Sequence, residues 1–390
     1  MRGRAEGRRG GSLRVASHDE TLAVVAKEKE TAFPSVQVMY KKNPMPQASI
    51  GDYCRYINTR LFTGMLNNRL RELTVKPNPP FVGAGSFYGS SYARTKDAYQ
   101  VIANSSDTGM ARSLYTILQE NRRALLYGFS PAEFDLQKKQ TQSFYDRIFN
   151  EREKQESYAY VDEYVNNFLV NEPIPGIEWE YDFVKQYFNS LKLEEINSLA
   201  ATWITRDNMV VTMNAPDKES VLIPSAAEVN NIIGEVETAK IEPYTQKALA
   251  SSLMDPSKLK SGKISSSKTD DEIGTTTFKL SNGATVIIKP TNFKNDEVIF
   301  RAFSKGGHSL VNDADYYSAS YAGAVVNQSG VAGFSAMDLS NMLKGKSTSL
   351  GVSIGQLSES MAGNTIPKET ETLLQLVHLY FTAPRKDKDA

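Results

Sequence analysis

Three histidines (His18, His308 and His378), one cysteine (Cys54) and a Gly345-Lys346-Ser347-Thr348 run are the residues of this chain whose types invite specific chemistry. One way for a helix to hold a hydrolytic zinc ion is His-x-x-Glu-His, where two imidazoles one turn apart bind the metal and the glutamate activates water. No histidine here has a second within five residues, so no two can share a helical face in that way. A single cysteine excludes both an intramolecular disulfide and a cysteine-based zinc site. Cys54 lies in the apolar-flanked stretch Tyr53-Cys54-Arg55-Tyr56-Ile57, where a buried structural thiol is expected. His308, in Gly306-Gly307-His308-Ser309, reads as a solvent-exposed turn residue. His378 falls on an apolar helix and is expected to be partly buried with its ring satisfied. His18 has Asp19 and Glu20 beside it, but adjacent residues on a flexible lead do not converge on a metal.

The Gly345–Thr348 run lacks the first glycine of a phosphate loop, since Ser340 stands five residues earlier, and the element before it reads as a helix where a strand is needed. Nucleotide binding is therefore set aside. Glu194 and Glu195 sit in a helix first turn, where the helix dipole favours negative charge. Lys138-Lys139 and Glu151-Arg152-Glu153-Lys154 fit a solvated helix face. No nucleophile–base pair has defensible spacing, so no residue is assigned as catalytic, cofactor-binding or metal-ligating.

The elements that would position any site are legible from periodicity. Ser35–Tyr40 alternates apolar and polar residues and predicts a half-buried strand, followed by a helix over 50–73 that ends before Pro77. Residues 81–102 read as short strands with Gly/Ser turns, and a helix over 107–127 ends at Gly128. Ser130, Pro131 and Glu133 form a capping box that starts a helix expected to reach Gln155. Helices follow over 158–169, 179–188 and from 193, then a strand over 208–213 and a helix over 226–237 in a polar stretch. Ser281-Asn282-Gly283 between apolar runs predicts a hairpin of 276–280 with 284–289, followed by a strand over 297–303. Helices are expected over 316–326, 335–343 and 368–379, the last an apolar helix that needs something to pack on.

At 390 residues the chain exceeds the ~250 at which a single core stops growing. With 40% hydrophobic and 10% aromatic residues, two cores are within reach. Lysine plus arginine and aspartate plus glutamate are 45 each, which argues against a broad nucleic-acid surface or an acidic-lipid partner. There is no run of ~18 apolar residues to span a membrane. Met1–Gly11 is Arg/Gly-rich without the apolar stretch of a signal peptide.

The element order, together with Met65-Leu66-Asn67-Asn68-Arg69-Leu70, Gly128-Phe129-Ser130-Pro131-Ala132-Glu133-Phe134, Pro175–Glu180, Leu280-Ser281-Asn282-Gly283, Ile288–Thr291, Ser329-Gly330-Val331 and Leu376–Arg385, resembles the bacterial branch of the pitrilysin/insulinase-type zinc metallopeptidases. The resemblance implies an α+β fold of two pitrilysin-like domains, each an antiparallel sheet with helices on one face, the second incomplete. It implies a disordered lead over 1–18, a second (non-catalytic) peptidase-like domain over 19–245, a polar linker over 246–272, and the front part of a third, degenerate domain over 273–390. A zinc helix remnant would fall at Asp315–Ala322, which holds neither His nor Glu. Tyr316, Tyr317 and Tyr321 are there expected to be helix-packing residues.

The expected role is the chamber or substrate-enclosing portion of a zinc metalloendopeptidase acting on peptides or unfolded polypeptide, inactive alone, with zinc in a catalytic domain upstream. The alternative is a catalytically inactive relative acting as a scaffold or partner subunit. Implied partners are the polypeptide substrate and that catalytic domain, with self-association expected from the terminal apolar helix. The implied compartment is the periplasm or cell envelope, although one cysteine is also compatible with the cytoplasm. Polypeptide capture would use an exposed sheet edge, and the sequence leaves open which strand provides it.

Overall fold

The computed structural model describes residues 15–388 except 94, 246–249 and 251. The Arg/Gly-rich residues 1–14 of the expected lead lie outside the described residues. The chain forms two compact units. Unit 1 takes the described residues up to Lys138, with Val165–Ile174 and 185–245; unit 2 takes Lys139–Tyr164, Pro175–Val184 and the described residues after 247.

Unit 1 is built on a five-stranded sheet of β1 (Leu22–Glu28), β2 (Ser35–Lys42), β3 (Gly83–Ala93), β4 (Lys96–Asn104) and β5 (Met209–Pro216), in the order β1-β5-β2-β4-β3. The alternation in β2 buries Val36, Val38 and Tyr40 opposite Met213, Val211 and Met209 of β5, one face inward as a period of two requires. Its helices are α1 (Ile50–Thr74), α2 (Met110–Tyr127), α6 (Leu193–Trp203) and α7 (Ala226–Thr238). Helix α1 starts at a capping box, where Ser49 accepts from the Asp52 amide and the Asp52 carboxylate accepts from the Ser49 amide at 2.9 Å. It packs along β3 and buries Ile57, Leu61, Phe62, Met65, Leu66 and Leu70 completely. Phe62 meets Trp203 and Phe129 edge-on, each at 5.0 Å, and Trp203 stacks on Tyr99 at 5.3 Å.

Several features depart from the sequence expectation. β1 had no signature, and it pairs parallel to β5, so the sheet is mixed. Residues 81–102 fall in two long strands, β3 and β4. Helix α3 (Pro131–Asn150) starts at the expected box, with the Ser130 amide donating to Glu133 at 2.8 Å, but yields to a 3-10 turn at Arg152–Lys154. Helices α4 (Val161–Val170) and α5 (Ile177–Ser190) follow.

Unit 2 contains two three-stranded antiparallel sheets. One is β6 (Ile264–Asp270), β7 (Thr275–Leu280) and β8 (Thr285–Ile288) in sequence order; β6 occupies residues expected in the polar linker. The β7–β8 turn is the expected Asn-Gly turn, with Gly283 at φ 90°. The other sheet runs β10-β11-β9, from β9 (Val298–Lys305), β10 (Ser349–Ile354) and β11 (Ser358–Thr365). Helices α8 (Tyr316–Ser329), α9 (Ala336–Leu343) and α10 (Thr370–Thr382) complete it. The apolar helix α10 is not left bare: Leu373, Leu376 and Leu379 are buried, and the last two join Val331, Leu339 and Leu253 in a small core.

Candidate functional site

The three histidines lie at unrelated places. His18 is half-buried and tied down by β5's leading turn: its amide donates to Asn208 Oδ1 at 3.1 Å and its carbonyl accepts the Asn208 amide at 2.8 Å. His308 is half-buried, not solvent-exposed as expected, because its ring meets the edge of Tyr316 at 5.1 Å. His378 is exposed, since α10 turns Leu376 and Leu379 inward and His378 falls between them on the outer face. Among the described residues no three His, Cys, Asp or Glu side chains group as metal ligands would.

Cys54 is half-buried on α1, and burial raises its thiol pKa against a lowering hydrogen bond with Tyr187, so the thiolate is disfavoured. The Gly345–Thr348 run is closed on a carboxylate. Glu369 Oε2 accepts from the Ser347 amide at 2.7 Å and from Thr348 Oγ1 at 2.9 Å, while Lys346 Nζ donates to Thr372 Oγ1 at 2.8 Å. The donors that a phosphate loop would aim at phosphate are here spent on the N-terminus of α10.

The segments Met65–Leu70 and Gly128–Phe134 converge on one buried ion pair. Arg69 is bidentate to Glu133, Nε to Oε1 at 2.6 Å and Nη2 to Oε2 at 2.9 Å, and Nη2 also donates to the Gly128 carbonyl at 2.9 Å. The guanidinium lies between the rings of Phe129 and Tyr244, at 4.6 and 4.5 Å. Burial and the Glu72 carboxylate push the Tyr244 hydroxyl upward, so it stays protonated and donates to Glu72 at 2.6 Å. Asn67 fixes the next turn to the sheet: its Nδ2 donates to the Ser86 carbonyl at 3.0 Å and its Oδ1 accepts the Ser86 amide. Gly128, at φ 64°, must be glycine because a Cβ would run into Asn197, which holds both backbone polar groups of Phe129. This is a fastening between buried side chains. Asn197, Glu72 and Tyr244 carried no sequence signal, because their partners are distant in the chain.

Among the described residues, several large apolar side chains stand open to solvent. Helix α4 has no buried residue and shows Val161, Tyr164, Val165, Phe168 and Leu169 at helical spacing, Phe168 being 85% exposed. In unit 2, Ile299 and Phe303 of β9 are 62% and 80% exposed on an edge strand, and Ile287 of β8 is 64% exposed on another. Tyr316, Tyr317 and Tyr321, expected to pack, are exposed on α8, which instead brings Gly323 against the backbone of β10. No described helix is long and apolar enough to cross a membrane.

No family model matches the chain. It is 26% identical over 358 residues to a zinc protease PQQL-like protein of Arabidopsis thaliana, a match over 92% of this chain and 34% of that protein. It is 20% identical over 354 residues to a probable zinc protease PqqL of Haemophilus influenzae, over 90% of this chain and 38% of that one. The chain thus spans about a third of the length of these curated relatives. The fold is similar to the periplasmic protease PqqL from Escherichia coli, with a TM-score of 0.54, 18% identity, and 98% of this chain against 42% of that one. It is also similar to pitrilysin, with a TM-score of 0.56, 14% identity, and 94% of this chain against 38% of that one.

Proposed function

The chain belongs to the pitrilysin/insulinase-type zinc proteases, and from that premise we propose that it is a non-catalytic, polypeptide-enclosing portion of such a protease. One observation carries the reading: the match extends over 92% of the chain, yet the sequence holds no His-x-x-Glu-His and no pair of histidines within helical reach. Zinc, the activating glutamate and the bond-breaking step would come from a separate domain bearing that motif. The residues described here would contribute walls: a rigid sheet-and-helix body fastened by Arg69–Glu133, and exposed strand edges able to hold an extended chain through main-chain hydrogen bonds. Such contacts read the backbone and tolerate sequence, which suits peptides and unfolded segments as substrates. The periplasmic compartment of the Escherichia coli relative is the one we propose for this protein.

Elemental analysis of the purified chain, paired with cleavage of a quenched-peptide pool, tests the reading. We expect no stoichiometric zinc and no chelator-sensitive cleavage, with activity appearing when the chain is joined to a domain carrying the motif. Stoichiometric zinc together with turnover by the chain alone would overturn it.

A further inference from the structure

β3 is an edge strand of the unit 1 sheet and pairs on one side only, with β4. Edge strands ordinarily carry charge or proline that discourages another backbone from adding to them. β3 has neither: Gly83–Ala93 reads Gly-Ala-Gly-Ser-Phe-Tyr-Gly-Ser-Ser-Tyr-Ala, and Gly83, Gly85 and Gly89 carry no side chain that would hold an approaching backbone away. Its protection comes from α1. Asn67 Nδ2 donates to the Ser86 carbonyl at 3.0 Å and Asn67 Oδ1 accepts the Ser86 amide, so one side-chain amide takes both main-chain polar groups of that residue. In an antiparallel ladder the groups of successive residues face alternate sides, which sets Ala84 and Tyr88 facing away from β4 together with Ser86.

The Asn67 amide is held in that pose from both ends. On α1 its neighbours Met65, Leu66, Arg69 and Leu70 are buried, and the helix packs along β3. On β3, Ser86 Oγ lies 2.9 Å from Asn67 Oδ1 and 3.3 Å from the Thr63 carbonyl oxygen. The result is local: Ser86 is 5% exposed, whereas the next residue, Phe87, is 39% exposed. A strand adding to β3 would have to take the main-chain groups of Ser86 and leave the half-buried Asn67 amide without them, so the bonds gained at this residue are offset by those lost.

We propose that Asn67 is an edge lock: its amide takes the place of one residue of a neighbouring strand at Ser86, and shuts β3 against main-chain pairing with a second copy of this chain. Without the lock, β3 suits its own copy. An antiparallel pair centred on Ser86 sets Ser86 opposite Ser86 and Ala84 opposite Tyr88, uses the outward-facing groups of all three, and meets no like-charge repulsion because the strand is uncharged. The lock rests on bonds within unit 1 and does not require the peptidase reading. Within that reading it removes β3 from the edges available to a polypeptide.

Residue-resolved hydrogen–deuterium exchange of the full chain over a range of protein concentrations tests the lock. In the unaltered chain the Ser86 amide should exchange about tenfold more slowly than the Ala84 and Tyr88 amides at every concentration. In dilute Asn67→Ala the Ser86 amide should exchange about tenfold faster than in the unaltered chain. Raising the concentration of that variant should then bring protection to Ala84, Ser86 and Tyr88 together, which the loss of a merely structural bond would not do. Asn67→Ala combined with Ala84→Pro, which removes an outward-facing N–H, should stay fast throughout. A Ser86 amide still protected in dilute Asn67→Ala would overturn the proposal, as would protection that never returns with concentration, that persists in the double variant, or that grows with concentration in the unaltered chain. If Asn67→Ala fails to fold, a lysine-flanked peptide copying residues 83–89 decides on the unaltered chain: no protection of Ala84 and Tyr88 is expected, and protection there would overturn the proposal.

Discussion

In unit 1, Leu61, Phe62, Met65 and Leu66 of α1 are wholly enclosed beneath a five-stranded sheet whose central strand, β2, is paired on both sides; in unit 2, Ile287, Ile299, Phe303 and Tyr317 stand in water beside strands paired on one side only. The two units follow a similar order of strands and helices, so local propensity does not account for the difference. Closure does. Inserting β5 between β1 and β2 completes the ladder over the buried faces of β2 and β5. Unit 2 keeps its fold through smaller devices: the core around Val331 and Leu376, the Glu369 clasp, and tight glycine turns.

If closure is the difference, truncations in unit 1 should be far costlier than the same truncations in unit 2. Phe62→Ala removes a fully buried ring in contact with Trp203 and Phe129, and is expected to lower stability by ~3–5 kcal/mol. Phe303→Ala, on an exposed ring, should stay within ~0.5 kcal/mol. Urea unfolding followed by Trp203 fluorescence, in a Trp179→Phe background so that one tryptophan reports, measures the first; circular dichroism measures both. Equal losses would break the comparison. Within unit 1, Glu133→Gln tests the same dependence on burial from the polar side. It leaves the Arg69 charge buried against the Gly128 carbonyl and two rings, and a loss of ~3–5 kcal/mol is expected, whereas an exposed pair such as Arg206–Glu237 should give ~0–1 kcal/mol.

Unit 2 has its own rigid point at Gly307. The residue sits at φ 74°, and a Cβ there would lie 2.3 Å from the Gly355 carbonyl oxygen and 2.7 Å from that of Gln356. Because those are backbone atoms of the β10–β11 turn, no side chain can swing aside. Gly307→Ala should therefore cost ~1–3 kcal/mol and loosen the β9 end of the sheet, visible as faster amide exchange in 304–309. Gly283→Ala, at φ 90° with open space around it, should cost less than Gly307→Ala, since only the backbone conformation is opposed. An inverted ranking would show that the turn, and not the close approach, is what unit 2 depends on.

The parts legible in sequence were those in which local pattern and tertiary role agree. β2 alternates cleanly because one face meets the core, and the Ser130–Glu133 box is complete within four residues. β1 was illegible because Leu22, Val24 and Val25 are exposed on an edge, so burial imposed no alternation on it. The β10–β11 hairpin was missed for a related reason. Its open face carries Ser349, Gly351, Ser353, Ser360, Ala362 and Asn364, residues whose propensities argue for loop, and only the pairing of β10 with β11 and of β11 with β9 makes them strands. The Tyr316–Tyr321 face read as packing because aromatic residues at helical spacing usually mark a core, but α8 approaches β10 through Gly323 on another face. For the candidate site, the absent zinc motif could be read directly.

The smallest expected effect concerns the clasp that holds the end of β9. The Glu359 carboxylate accepts from Ser304 Oγ and from the Gly307 amide at 2.8 Å, and these bonds, the Ser304 bond first, hold its pKa below the ordinary glutamate range. A carboxyl depressed in the folded state favours folding above its unfolded pKa, near ~4.3, and loses that contribution as pH falls through the lower folded value. Exchange at the Gly307 amide should therefore show added opening on acidification below about pH 4, beyond the intrinsic pH dependence of exchange. In Glu359→Gln the opening should be insensitive to pH over that range, because the amide side chain does not titrate. Trp203, enclosed in unit 1, should report no transition in the same window. An acid-induced step of equal size in Glu359→Gln would assign the opening to another carboxylate, and a concurrent change at Trp203 would mean that the two units do not respond to acid separately.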